Sequence, residues 1–263
     1  MAAQENNRFA AFTRLVVFSV CLVLSACVTT ETGGIGDKAD DAKALEYSVQ
    51  LARTYIRAGN WPAAKRHLKN ALEIDDSSAE VYEALALVFQ NTGEFELTEE
   101  NYKKSIKLNP DFSRVRNNYA TFLYSQQRYE EAAEQLERVV ADTLYEKRAQ
   151  AYVNLGRAYM QMNQLAKAEP AFHRAFMMER RNYALMYQLA DVYFQMGDYP
   201  KSQQFYNAYK SQTKQLPAEA LWLGIRLAEI FDNQNQLSSY AMALKNRYPT
   251  TKEYLLYKEK FGK

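Results

Sequence analysis

Leu51-Ala52-Arg53-Thr54-Tyr55-Ile56-Arg57-Ala58-Gly59-Asn60-Trp61 is a phrase that the chain spells six times with variations. Its opening doublet, a large apolar residue followed by a small one, returns as Leu85-Ala86, Tyr119-Ala120, Leu155-Gly156, Leu189-Ala190 and Leu227-Ala228. The successive steps are thirty-four, thirty-four, thirty-six, thirty-four and thirty-eight residues. Three places after each small residue stands Tyr55, Phe89, Leu123, Tyr159, Tyr193 or Phe231. Large, small, and large again four on from the first share one face of a helix. The small residue marks where two helix backbones come close.

A second pattern follows at fixed offsets. Nine places after the small residue come Trp61, Phe95, Tyr129, Leu165, Tyr199 and Leu237. Sixteen places after it come Leu68, Tyr102, Leu136, Phe172, Tyr206 and Leu244, with Ala64, Thr98, Ala132, Ala168 and Ser202 as the small partners between; Tyr240 breaks that small series. Between the two patterns, seven places on, sit Gly59, Gly93, Gln127, Asn163, Gly197 and Asn235. One helix ends there and another begins, which needs a left-handed backbone; Gly takes it freely, Asn fairly well, and Gln127 is the exception. Each unit therefore reads as a helix, a tight turn and a second helix.

In period and in its alternation of small and large residues, the unit resembles the tetratricopeptide repeat. Six copies span roughly residues 45–254. The resemblance implies an all-α fold, a right-handed superhelical solenoid of six repeats; apolar Tyr254, Leu255, Tyr257 and Phe261 predict a C-terminal capping helix over Thr250 to Phe261 that covers the last repeat. Pro62 and Pro200 fall in the first turn of second helices, where a missing N–H is harmless. Pro170 falls inside a second helix and is expected to kink it or leave a carbonyl unpaired. Two connectors are read as longer than the rest: residues 141–145 add two residues between units three and four, and residues 210–220 add four between units five and six.

The first residues follow another logic. Arg8 and Arg14 precede an apolar run from Leu15 to Leu24, too short to span a bilayer, which takes about 20 residues. Leu24-Ser25-Ala26-Cys27 closes the run and resembles the lipobox of bacterial lipoprotein precursors. That likeness implies a signal peptide over 1–26, cleavage before Cys27, and acylation of Cys27. Acyl chains contribute about 0.8 kcal/mol per buried CH₂, so several of them anchor firmly in a lipid bilayer. Val28, where an inner-membrane lipoprotein of this type usually carries Asp, points to the outer membrane, on its periplasmic face. Residues 27–43 read as the lipidated Cys and a flexible tether, and residues 44–263 as the repeat domain.

Charge is balanced, with 33 Lys and Arg against 31 Asp and Glu, a formal +2, and mean hydropathy is −0.49. That balance gives no electrostatic footprint for nucleic acid. His67 and His173, the two histidines, lie on different second helices. No metal-ligand spacing, Gly-rich phosphate loop or nucleophile elbow accompanies them. The reading is a protein that is not an enzyme, with no cofactor, metal or small-molecule substrate. Asp75-Asp76, Glu99-Glu100 and Glu130-Glu131 read as charges that offset helix dipoles and solvate turns.

Function then falls to the groove lined by the first helices. Its expected inner positions lie three before, one after and four after the small residue. Val49, Ile56, Leu87, Tyr124, Val153, Met160, Tyr187 and Phe194 form an apolar stripe there, with Arg53, Glu83, Arg157 and Asp191 scattered among them. Lys is absent from these positions, which argues against capture of a C-terminal carboxylate. An apolar groove suits an amphipathic or apolar segment of a protein partner.

The lipobox, the tether and the six repeats together, with Asn117-Asn118-Tyr119-Ala120 and the Ala141-Asp142-Thr143-Leu144-Tyr145 connector, resemble the PilF/PilW family of type IV pilus biogenesis lipoproteins. That resemblance implies a secretin pilotin, which binds a secretin subunit and promotes its outer-membrane localisation and multimerisation. The alternative is an outer-membrane repeat scaffold that recruits cell-wall enzymes.

Overall fold

The computed structural model describes residues 35–262, with side chains from residue 40 onward. The expected signal peptide over 1–26, Cys27 and the first part of the expected tether lie outside the described residues. Thirteen helices follow one another, and no strand occurs among the described residues. Six antiparallel pairs account for twelve: α1 (Ile35–Arg57) with α2 (Trp61–Ile74), α3 (Ala79–Thr92) with α4 (Phe95–Leu108), and α5 (Ser113–Ser125) with α6 (Tyr129–Ala141). Next come α7 (Arg148–Gln161) with α8 (Leu165–Met178), α9 (Ala184–Gln195) with α10 (Tyr199–Gln212), and α11 (Ala218–Ile230) with α12 (Gln234–Arg247). The last helix, α13 (Lys252–Phe261), rests on α11 and α12 and lays Tyr254, Tyr257 and Phe261 against their core.

The turns inside the pairs adopt the left-handed backbone that the spacing demands. Gly59, Gly93, Gln127, Asn163 and Gly197 all have positive φ. Gln127, at φ 61, shows that the turn geometry is imposed by the array even where the residue resists it. Asn60 and Asp198 then cap the second helices by accepting the N–H of Ala63 and Lys201. Pro170 does not interrupt α8. It removes the N–H that would pair with the Ala166 carbonyl, and both residues lie on the exposed side of the helix.

The sixth unit departs from the sequence reading. Its left-handed residue is Asp232, at φ 50, and Asn233 caps α12 through the Gln236 N–H. Asn235 therefore lies within α12 rather than in the turn. Gly224 makes the close approach that the spacing assigns to Ala228: a Cβ on Gly224 would clash with the Tyr206 hydroxyl and meet the Tyr240 ring at 2.9 Å. Gly156 faces Phe172 sixteen residues on, at 2.8 Å, in the same manner. Leu223-Gly224 stands thirty-four residues after Leu189-Ala190, and Tyr240 thirty-four after Tyr206. So no four-residue insertion separates units five and six; only the left-handed turn residue is displaced, Asp232 standing thirty-five after Gly197. The longer connector between units three and four is present, as residues 142–147 against 109–112 one unit earlier.

The first helix also begins earlier than the tether reading allows. Residues 35–43 are helical and continuous with α1. Ala42, Lys43 and Ala44 are good helix formers, so propensity favours carrying the helix back beyond the apolar repeat.

Candidate groove on the first helices

First helices touch first helices across units, α1 on α3 and α5 on α7, so these helices line the inner surface of the array. In four of the six units, the position three before the small residue lies buried in the seam between neighbouring first helices; Asn117 and Tyr187, at that position in units three and five, stay half-buried. Val49 and Val153 are 8% and 5% exposed, and so offer no surface to a partner. Glu83 and Leu221 occupy equivalent places and are buried too, at 1% each. Ile56, Leu87, Tyr124, Met160, Tyr187 and Phe194 are half-buried: each rests one face on the core and shows the other to the groove. Six of the eight apolar residues of the expected stripe thus remain available.

Charges in the groove are organised rather than scattered. The Glu83 carboxylate is covered by Arg53 from α1 at 2.5 Å, by both Nε and an Nη of Arg114 from α5 at 3.0 and 2.9 Å, and by the Asn118 amide at 3.1 Å. A buried carboxylate is tolerable only with such saturation. It ties the first helices of three successive units together. At the far end, Arg226 of α11 lies 3.6 Å from Asp191 of α9 and stacks over the Phe194 ring at 4.3 Å. Burial pushes the Asp191 carboxyl up, while Arg226 and the Gln195 amide pull it back. Burial likewise raises the Tyr187 hydroxyl, helped by the Asp191 charge.

Midway along the groove, between α5 and α7, a cavity of about 110 Å³ opens among Ala120, Thr121, Tyr124, Leu136, Asn154 and Arg157. Ala120 and Leu136 form its apolar base, and Tyr124 is held upright by an edge contact with Tyr129, 5.0 Å between ring centroids. Side-chain amides run beside it: Gln150 donates to Asn154 at 3.1 Å, and Asn154 to Asn117 at 3.4 Å. Arg157 is exposed and has no carboxylate within ion-pair distance among the described residues.

The histidines lie away from the groove's polar clusters. His67 stacks on Tyr55, centroids 5.4 Å apart, and His173 is exposed on α8. Of the acidic pairs, Glu130 and Glu131 do lie in the first turn of α6, but Glu99 binds Arg128, Lys103 and Tyr119 and joins two units. No helix among the described residues is long and apolar enough to cross a membrane.

A helical hairpin repeated six times, with its first helices lining a groove, defines a repeat scaffold for protein recognition. The family model described as tetratricopeptide repeat matches residues 41–214. Over 241 residues the chain is 37% identical to the type IV pilus assembly protein PilF of Pseudomonas aeruginosa, covering 91% of this chain and 95% of that protein. The chain therefore belongs to the tetratricopeptide-repeat family and, within it, to the family of PilF. The solved structure of P. aeruginosa PilF superposes with a TM-score of 0.74 at 36% identity, covering 84% of this chain and 99% of that one. The crystal structure of PilW, a type IV pilus biogenesis factor, gives a TM-score of 0.69 at 22% identity, over 81% of this chain and 97% of that one, and shares the fold.

Proposed function

We propose that this protein serves type IV pilus biogenesis as a lipid-anchored outer-membrane lipoprotein whose groove holds a secretin subunit until that subunit reaches the outer membrane and multimerises. The observation that carries the reading is the 37% identity to PilF along nearly the whole of both chains. The Leu24-Ser25-Ala26-Cys27 motif supplies the anchor, and the half-buried apolar residues of the groove supply the contact. Acyl chains on Cys27 commit the complex to outer-membrane sorting. The groove meanwhile masks an apolar secretin segment that would otherwise self-associate.

The test is made in the native host with two variants of the full-length protein. Cys27→Ala is expected to leave the repeats folded by circular dichroism, strand secretin multimers in the inner membrane and abolish surface pili. Leu87→Asp is expected to keep the anchor and the fold but lose co-purification of the secretin. Normal outer-membrane secretin rings in the Cys27→Ala strain would refute the proposed sorting role.

A further inference from the structure

The cavity between α5 and α7 has a volume of about 110 Å³, smaller than the roughly 150 Å³ hole that admits a benzene ring in a protein core. It is the size of one aliphatic side chain. Its base is apolar, through Ala120 and Leu136, and its rim is not. Asn117 keeps its amide donors free of acceptors among the described residues, and Asn154 keeps one N–H beyond its bond to Asn117. Such amides suit the main-chain carbonyls of an extended segment.

Charge decides what stands beside that side chain. Arg53 and Arg114 are engaged by Glu83, and Arg226 by Asp191. Arg157, on the rim of the cavity, has no acidic partner among the described residues. An exposed guanidinium at the mouth of an apolar socket is complementary to a carboxylate on a ligand seated there.

We infer that this cavity is a peptide subsite: it takes one Leu, Ile or Val side chain of an extended partner segment, with a neighbouring Asp or Glu of that segment on Arg157 and its main chain on Asn117 and Asn154. The inference rests on the groove being the partner-binding surface, and it specifies the sequence that the groove selects.

The experiment pans a random linear twelve-residue display library over the full-length protein in detergent micelles. The wild-type protein, Arg157→Glu and Thr121→Trp are used in parallel, each checked for fold by circular dichroism. Thr121 is exposed, so Trp at that position closes the mouth without disturbing the core. The wild type is expected to enrich peptides with an aliphatic residue beside an acidic one. Arg157→Glu is expected to keep the aliphatic preference and exchange the acid for Lys or Arg. Thr121→Trp is expected to bind the wild-type winners at least about tenfold more weakly. Identical selection by the wild type and Arg157→Glu would overturn the proposal, and so would winners that bind Thr121→Trp undiminished. A dimer that Thr121→Trp converts to a monomer in sedimentation would make the cavity an interface between copies and overturn it too. No secretin enters this experiment. A positive selection alongside a failed secretin co-purification would thus keep the subsite and discard the partner, and the reverse would do the opposite.

Discussion

Gly224 shows how much one residue decides. Ala228 and Gly224 are one helical turn apart, each follows a Leu, and both are buried because α11 is covered by α13 as well as by its own pair. Apolar periodicity repeats every turn, so it cannot say which of two such doublets faces the neighbouring helix; the thirty-four-residue step from Ala190 and from Tyr206 could have. The two effects of Gly224→Ala oppose each other. Helix propensity alone would stabilise by about 1 kcal/mol. Against that, the new methyl meets the Tyr206 hydroxyl and the Tyr240 ring, and Tyr206, 1% exposed, has nowhere to turn. Overpacking of this kind costs about 1–3 kcal/mol. Gly224→Ala is therefore expected to lower the urea midpoint despite its better helix residue. A midpoint that rises would restore Ala228 as the contact residue.

Between elements, tyrosines and glutamates stitch one unit to the next. Tyr119 on α5 donates to Glu99 on α4, Tyr193 on α9 to Glu169 on α8, and Tyr159 on α7 to Glu137 on α6. These pairs were not legible in the sequence because no two of them combine the same registers: Tyr119 precedes the small residue of its unit, whereas Tyr159 and Tyr193 follow theirs by three, and their partners Glu137 and Glu169 stand seventeen and thirteen places after the small residues of their own units. Glu99 is the most heavily used. The Arg128 guanidinium above all, then Lys103 and the Tyr119 hydroxyl, outweigh burial and hold its carboxyl at about 2, from an ordinary 4.5. A carboxyl depressed in the folded state stabilises fully above its unfolded value and loses that contribution as it protonates. The loss falls between about pH 4.5 and pH 2. Wild type is expected to exceed Glu99→Gln in stability at neutral pH, with the gap closing on acidification through that window. Urea melts of both proteins at neutral pH and near pH 3 measure it, and a gap that does not change would remove Glu99 from the acid response of the fold.

The array as a whole was the most legible feature, because six registers in step leave little room for another architecture. The groove was legible only in part. Small-to-large spacing says which helices face inward, but not how closely they crowd, so Val49 and Val153 were expected on the surface and lie in the seam instead. The core divides along the chain. One cluster joins the first two pairs, from Val49 to Val88; a larger one runs from Ala86 to Tyr193; and a third runs from Ala190 to Leu244 with α13 against it. Units that touch only their neighbours unfold locally rather than all at once. At the first pair, Tyr47 and Leu51 stay 65% and 47% exposed, whereas the positions equivalent to Leu51 in units three to six are buried. Amides of α1 and α2 are therefore expected to exchange with deuterium first, and those of α5 to α8 last. Leu68→Ala, which cuts into the first cluster, is expected to remove about 2–5 kcal/mol of protection from α1 to α3 and to leave α9 to α13 unchanged. Leu155→Ala, in the central cluster, is expected to speed exchange in units on both sides of it. Mass-resolved hydrogen exchange on the two variants reads this directly, and equal loss along the whole chain from Leu68→Ala would mean that the array melts as one body.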